Sequence, residues 1–284
     1  MPGTLFVVAT PIGNLEDVTF RALRVLREAS LIAAEDTRRT ATLLARHGIR
    51  TATTSFHEHN ERHKLPHLLN RLASGERIAL VSDAGTPGIS DPGFKLIRAA
   101  IARGARIEVI PGPSAVLTAL VASGFPTTSF TFLGFPPARG QDRRAWMASL
   151  AREPRTCIFF EAPHRIRATL EAVHQEIGDR RVAVARELTK LHEEIARGTI
   201  PEVLGLLTAL RGEMTVVVAP PPEPAPEGRT AASDREIWMR FCQKTDSGHA
   251  TRRAVIGAIA QDLGMATRAV YDAVERAKKR APEP

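Results

Sequence analysis

Short aliphatic runs alternate with amphipathic stretches through the first two thirds of the chain, the pattern of an α/β protein. Leu5–Ala9, Leu31–Ala34, Thr51–Thr54, Ile78–Val81 and Ile107–Ile110 read as strands, with helices between them at Leu15–Arg27, Thr37–His47, Arg62–Ala73 and Phe94–Ala102. Pro111, Gly112 and Pro113 then break the pattern ahead of a helix at Ser114–Ser123, with Gly124 just past its end. A second series follows, with strands near Phe130–Leu133, Cys157–Phe160, Val182–Ala185, Glu194–Arg197 and Thr215–Val218 and helices at Arg143–Arg152, His164–Ile177 and Pro201–Leu210. Pro220–Glu227 holds five prolines in eight residues, too stiff and too poor in backbone donors to pack as an element. Beyond it Asp234–Gln243, Ala250–Leu263 and Thr267–Lys279 read as helices. The last two meet at Gly264-Met265, either as a helix-turn-helix or as an ordinary helical hairpin. The expected division is an N-terminal α/β domain over 1–112, a second α/β domain over 113–219, a proline-rich linker over 220–231 and a helical, helix-turn-helix-like domain over 232–284.

Composition narrows the class. At 284 residues and 43% hydrophobic content the chain can build more than one core, and no apolar run approaches the roughly 20 residues of a membrane span. Cys157 and Cys242 stand far apart and form no CxxC pair, so neither a zinc site nor a disulfide framework is indicated, and a reducing cytoplasm fits. The formal charge of +8 suggests an acidic partner such as RNA more than a small neutral metabolite. From Arg229 onward 11 Lys or Arg stand against 7 Asp or Glu, so one fifth of the chain carries half of that charge. This tail is either a solvated basic surface or a nucleic-acid contact; Arg252, Arg253, Arg268, Lys278 and Lys279 favour the second.

The candidate chemistry sits where the strands end. RIALVSDAGTPGISDPG, Arg77 to Gly93, places a carboxylate and a glycine-rich turn after an apolar strand, at the sheet edge where open α/β folds bind small molecules. Asp83 is expected to face a ligand, and Ser90 or Asp91 to cap the next helix, with Pro92 at its first position. Thr10 to Asn14 occupy the equivalent turn after the first strand. The chain has neither GxGxxG nor a GK[ST] loop, which disfavours a phosphate-cradling cofactor. After the second strand Asp36 suits a helix cap, leaving Glu35 as the better acid-base candidate. His57, His59, His63 and His67 are four of the nine histidines, but they lack HExxH spacing and cysteine neighbours, so no metal is expected and substrate contact is the better reading. Phe160 to Arg165 and Arg186 to Lys190 likewise place charge at strand ends, directed into the crevice or paired on the surface.

TPIGNLEDVT, EDTRRT, SFHEHN, SDAGTPGISDPG, IPGPSA, FFEAPHR and ARELTKLHEE, in that order and spacing, closely resemble the ribosomal-RNA-methylating members of the tetrapyrrole methylase superfamily, from Thr4 to about Pro220. The resemblance implies an α/β, two-domain tetrapyrrole-methylase-like fold with S-adenosylmethionine in the interdomain cleft, a small C-terminal helical domain, and a cytoplasmic homodimer with no membrane association. It implies 2′-O-methylation of a cytidine in the decoding region of 16S rRNA, in the 30S subunit or its assembly intermediate. The donor pocket then includes Pro11, Asp83, Thr86, Pro87, Gly88, Ser114 and Ala115, with Phe160, Ala185, Glu213 and Thr215 closing the adenine side. From loop position, Glu35, His57 and Glu58 are the base candidates. Arg38, Arg165 and Lys190, with Arg252, Arg253 and Arg268 of the tail, are the candidates for holding RNA. The superfamily's tetrapyrrole enzymes usually carry GDP where this chain has SDAGTP. The competing expectations are the same donor with a tetrapyrrole or protein acceptor, and a ligand-sensing DNA-binding regulator.

Overall fold

The structure is a computed structural model that describes residues 2–207, 211–222, 232–246, 251–263 and 265–280. The chain forms two compact units, Met1–Pro221 and Pro222–Pro284. The first contains two five-stranded sheets. In the N-terminal sheet, β1 (Thr4–Val8), β2 (Leu31–Ala34), β3 (Thr53–Ser55), β4 (Arg77–Val81) and β5 (Arg106–Ile110) run parallel in the order β3-β2-β4-β1-β5. All four β2 residues and the last four of β4 are buried, because helices cover both faces. Alternate residues point opposite ways. Phe6 and Val8 meet α1 (Phe20–Glu28) and α2 (Thr37–Arg46), while Leu5 meets α3 (Glu61–Ala73) and α4 (Phe94–Ala102).

Three local features depart from the sequence reading. The first helix begins at Phe20 rather than Leu15, because Asn14 caps a single 3-10 turn, Leu15–Asp17, and Thr19 caps a new start by accepting the Ala22 N–H at 3.0 Å. The third strand slides to Thr53–Ser55, Thr51 being held through its hydroxyl by the Leu26 carbonyl at 2.7 Å. Neither Ser90 nor Asp91 caps α4: Gly93 occupies the cap at φ 124° with no side-chain bond. A Cβ there would lie 2.8 Å from Leu80 Cδ2, so both the backbone angle and the close approach require glycine.

After α5 (Ala115–Ser123) the second sheet takes the order β6-β7-β10-β8-β9, from β6 (Phe130–Phe132), β7 (Thr156–Glu161), β8 (Arg181–Arg186), β9 (Glu194–Thr199) and β10 (Met214–Val218). Only β6 and β7 pair in parallel there; the other neighbours are antiparallel. α6 (Gly140–Arg152), α7 (Ile166–Ile177) and α8 (Ile200–Leu206) close one face and α5 the other. The predicted extension of α8 to Leu210 falls at 208–210, outside the described residues. Cys157 is buried in this core, its thiol pushed up to about 11 by burial, and both cysteines are free.

The second unit holds α9 (Asp234–Asp246), α10 (Arg252–Leu263) and α11 (Thr267–Arg280) around their own core of Ile237, Val255, Ile259, Val270 and Val274. Most of the expected linker, Ala250 and Gly264 lie outside the described residues. Among the described residues no helix is long and apolar enough to cross a membrane.

Candidate active site

The loops leaving β1, β2 and β4 are tied to one another at the carboxyl edge of the first sheet. Thr10 and Gly85 exchange two backbone hydrogen bonds of 2.9 Å, and the Thr10 hydroxyl donates to the Ser82 carbonyl at 3.1 Å. Glu35 Oε2 accepts the Asp83 N–H at 3.2 Å, while Asp83 Oδ1 accepts the Asp36 N–H at 2.9 Å. Each loop thus satisfies a donor of the other, which fixes both carboxyl groups on an otherwise irregular edge.

The first loop also reaches the second sheet. Asn14 N–H donates to the Thr189 hydroxyl at 2.9 Å. A Cβ on Gly13 would lie 2.6 Å from the Leu188 carbonyl oxygen, so the chains can approach this closely only at glycine. Among the described residues the non-glycine positions with left-handed φ are Ser90, Glu187 and Thr189, all in these loops. Backbone strain of about 1–3 kcal/mol per such residue is characteristic of sites whose geometry outranks local comfort.

Between the two sheets these loops enclose a cavity of about 400 Å³. Its wall has an apolar part, including Ile12, Val116, Phe135, Phe160, Leu188 and Met214, and a carboxylate part of Glu35, Asp83, Asp91, Glu161, Glu187 and Glu213. Among the described residues Arg39 and Lys190 are the cations on it. Arg39 lies 3.4 Å from Asp83 and Lys190 2.9 Å from Glu187, so each is already paired. Phe160 packs against Phe132 and Phe135 with ring centroids 5.0 and 5.4 Å apart. Burial raises the Glu35 carboxyl above its ordinary value, aided by the Asp83 charge and opposed chiefly by the Asp83 N–H. Asp91 is pushed up to about 7, first by burial and then by the charges of Glu35, Asp83 and Glu213, against a hydrogen bond from Ser82. Glu161 is buried, accepting the Thr169 hydroxyl at 2.6 Å and the Ala162 N–H at 2.8 Å.

The sequence candidates separate on this wall. Glu35, Asp83, Thr86, Ser114, Ala115, Phe160, Glu213, Thr215 and Lys190 line the cavity. Pro11, Pro87 and Ala185 are buried off its surface, and Gly88 turns the chain at φ 85° without lining it. Glu58 is exposed away from the wall. His57 stands beside Glu35, and in its neutral form its Nε2, 3.1 Å from the Asn60 amide nitrogen, is occupied as the acceptor of that N–H, the lone pair a base would use. Arg38 is exposed and bonded to Asp36, the cap of α2. Arg165 is held by Glu161 at 3.3 Å and donates to the Pro136 carbonyl at 2.6 Å. In the second unit Arg252 pairs with Glu275 and lies over the Phe241 and Tyr271 rings, whereas Arg253 and Arg268 are exposed with no carboxylate partner among the described residues. The reading missed Asp91, Arg39 and Phe135. Among the described residues no group of three or more His, Cys, Asp or Glu is placed to hold a metal ion.

Residues 4–204 match the family of tetrapyrrole (corrin/porphyrin) methylases. The chain is similar to the ribosomal RNA small subunit methyltransferase I of Thermotoga maritima, at 47% identity over 219 residues, 76% of this chain and 98% of that protein. It is also similar to the Bacillus subtilis protein of the same name, at 41% identity over 278 residues, 95% and 94% of the two chains. Among solved structures, the uroporphyrin-III C-methyltransferase from Thermus thermophilus complexed with S-adenyl homocysteine has a TM-score of 0.55 at 16% identity, over 76% of this chain and 97% of that one. At that identity the likeness is one of fold.

Proposed function

The chain belongs to the tetrapyrrole methylase family, and from that premise we propose that it transfers a methyl group from S-adenosylmethionine to the ribose 2′-hydroxyl of a cytidine in the decoding region of 16S rRNA. The observation that carries the proposal is the similarity to small-subunit rRNA methyltransferases along 95% of the chain, including the helical unit. The acceptor is the 30S particle or its assembly intermediate, in the cytoplasm, and the working form is a homodimer. Leu117 and Val121, exposed at 52% and 74% one turn apart on α5, suit cover by a second copy.

The cavity fits the donor. Its volume is that of a small-molecule site, its apolar wall suits an adenine, and its carboxylates suit a ligand with cationic sulfur and a charged amino group. When bound, S-adenosylmethionine supplies a methyl group made electrophilic by the attached sulfonium. Asp83 would hold the polar end, with Thr86, Ser114 and Ala115 beside it, and Glu213 would line the adenine side. Phe160 and Thr215 would face the base, and Pro11, Pro87, Gly88 and Ala185 support the loops that carry these contacts.

The chain contributes position and a proton acceptor. Pre-alignment of two reactants supplies up to about 7–11 kcal/mol of barrier reduction, and the hydrogen bonds that tie the loops around Glu35 and Asp83 together fix the groups that would provide it. Among the described wall acids burial holds Asp91 at about 7, which suits a group that takes a hydroxyl proton near neutral pH, and raises Glu35 above its ordinary value. Glu58 is too far removed for this role, and His57 acts through Glu35. Incubating the enzyme with labelled donor and 30S particles lacking the modification tests the reading. Label in 16S rRNA supports it; label only in a tetrapyrrole or a protein overturns it.

A further inference from the structure

Among the described residues the cleft carries six carboxylates against two cations, and the cations named around it are paired: Arg39 with Asp83, Arg38 with Asp36, Arg165 with Glu161 and Lys190 with Glu187. Such a surface attracts a cationic donor and repels phosphate. A nucleic acid delivered to it has to be held by positive charge placed elsewhere.

A groove of about 420 Å³ between α6 and α7 offers that charge. Arg139, Arg143 and Arg144 line it, with Gln175 and Glu176 on the α7 side. Among the described residues none of the three arginines is paired with a carboxylate. Arg143 donates only to neutral groups, the Pro137 carbonyl at 3.1 Å and the Thr169 hydroxyl at 3.3 Å, so it is fixed in place with its charge intact. Arg139 and Arg144 are exposed. Among the described residues the acids placed beside them are Glu176 on the groove wall, Asp142 in the first turn of α6, and Glu161, which accepts the same Thr169 hydroxyl and is already paired with Arg165; with that pair counted, the three arginines leave a positive excess.

The groove and the cleft share one loop. Phe135 lines the cleft, the Pro136 carbonyl accepts Arg165, the Pro137 carbonyl accepts Arg143, and Arg139 opens the groove. Four residues cover at most about 14 Å, so a chain leaving the cleft along this loop meets the arginines within a short distance.

We propose that the α6–α7 groove is a second acceptor site, in which Arg139, Arg143 and Arg144 hold backbone phosphates of the single-stranded RNA flanking the nucleotide in the cleft. The inference rests on the RNA-acceptor reading above. The guanidinium groups bind phosphate by charge-assisted, bidentate hydrogen bonds and read no base, so the site sets affinity and register while the cleft sets the target.

The test compares the full-length protein with R139A/R144A and R139K/R144K variants. Equilibrium binding of protein-free 16S rRNA and of 30S particles is measured across a salt series, beside methyl transfer at saturating donor. The alanine variant is expected to bind rRNA about tenfold more weakly and to lose about 1.4 from the salt slope, about 0.7 per phosphate contact on a single strand. KM for the particle should rise while kcat and donor affinity hold, and the lysine variant should recover most of the binding. Unchanged rRNA affinity and slope in a folded alanine variant overturn the proposal, whatever the transfer assay gives. A defect on 30S particles but not on protein-free rRNA also overturns it, by making a ribosomal protein the partner. Loss of rRNA binding with no transfer to rRNA by the wild type would leave the groove intact and remove the acceptor assignment instead.

Discussion

Replacing Asp91 by Asn isolates the electrostatic strain of the cleft. The folded chain holds this carboxyl at about 7, against 3.8 for an ordinary aspartate. Between about pH 4 and pH 7 the folded state therefore retains a proton that the unfolded state has released, and unfolding free energy falls as pH rises through that window. At about 1.4 kcal/mol per pKa unit the full shift corresponds to about 4 kcal/mol; partial access to solvent roughly halves it, to about 2 kcal/mol. Asn has nearly the same shape and cannot ionise. The variant and wild type should be equally stable below about pH 4, and at about pH 8 the variant should be more stable by about 2 kcal/mol, a rise of about 4–8 °C in Tm for a unit of this size. Glu35, also raised by burial, keeps part of the slope in both proteins. Thermal unfolding of the two proteins from acid to mildly alkaline buffer reads the difference directly. A stability difference that does not change with pH, or a variant that is less stable at pH 8, refutes the reasoning.

Other perturbations probe different parts of the site. Gly13→Ala drives a Cβ to 2.6 Å from the Leu188 carbonyl and should cost about 1–3 kcal/mol of stability and weaken donor binding about tenfold or more, read by calorimetry; an unchanged Kd would show that the two loops need not meet. Asp83→Asn keeps an oxygen for the Asp36 N–H but removes the charge, so donor affinity should drop about tenfold with little change in Tm. Glu161→Gln leaves Arg165 without its buried counter-charge and should destabilise the chain by about 2–4 kcal/mol in urea unfolding; a loss below 1 kcal/mol would mark the pair as dispensable.

Much of this architecture is written in local signals. Leu31–Ala34 and Phe94–Ala102 form where their apolar patterns place them, and Asp36 caps α2 because its carboxylate reaches the Arg38 N–H at 2.8 Å. Errors arose where two local signals competed. Asn14 and Thr19 are both good caps, and the chain uses both; Ser90-Asp91-Pro92 looks like a helix start, but Gly93 alone reaches the backbone angle needed beside Leu80. That mistake hid Asp91, whose role as a wall residue depends on burial among acids distant in sequence. Choosing Arg38 over Arg39 was a matter of helix phase: successive residues point about 100° apart, and only the start of α2 decides which faces the cleft. The Glu161–Arg165 pair joins the end of β7 to the residue before α7 across a turn, so its local cluster was readable in the sequence though the contact itself was not. Nor was the Arg252–Glu275 pair, 23 residues apart.

The central claim is that the acceptor atom is a ribose oxygen of small-subunit rRNA. Alkaline hydrolysis of 16S rRNA taken from 30S particles after reaction with enzyme and donor tests it most directly, because a methylated 2′-oxygen can no longer attack the adjacent phosphodiester. The account predicts a single missing rung in the hydrolysis ladder, at one cytidine of the decoding region, that is absent without enzyme. A complete ladder from rRNA that has nonetheless gained a methyl group would contradict it by placing the methyl on a base.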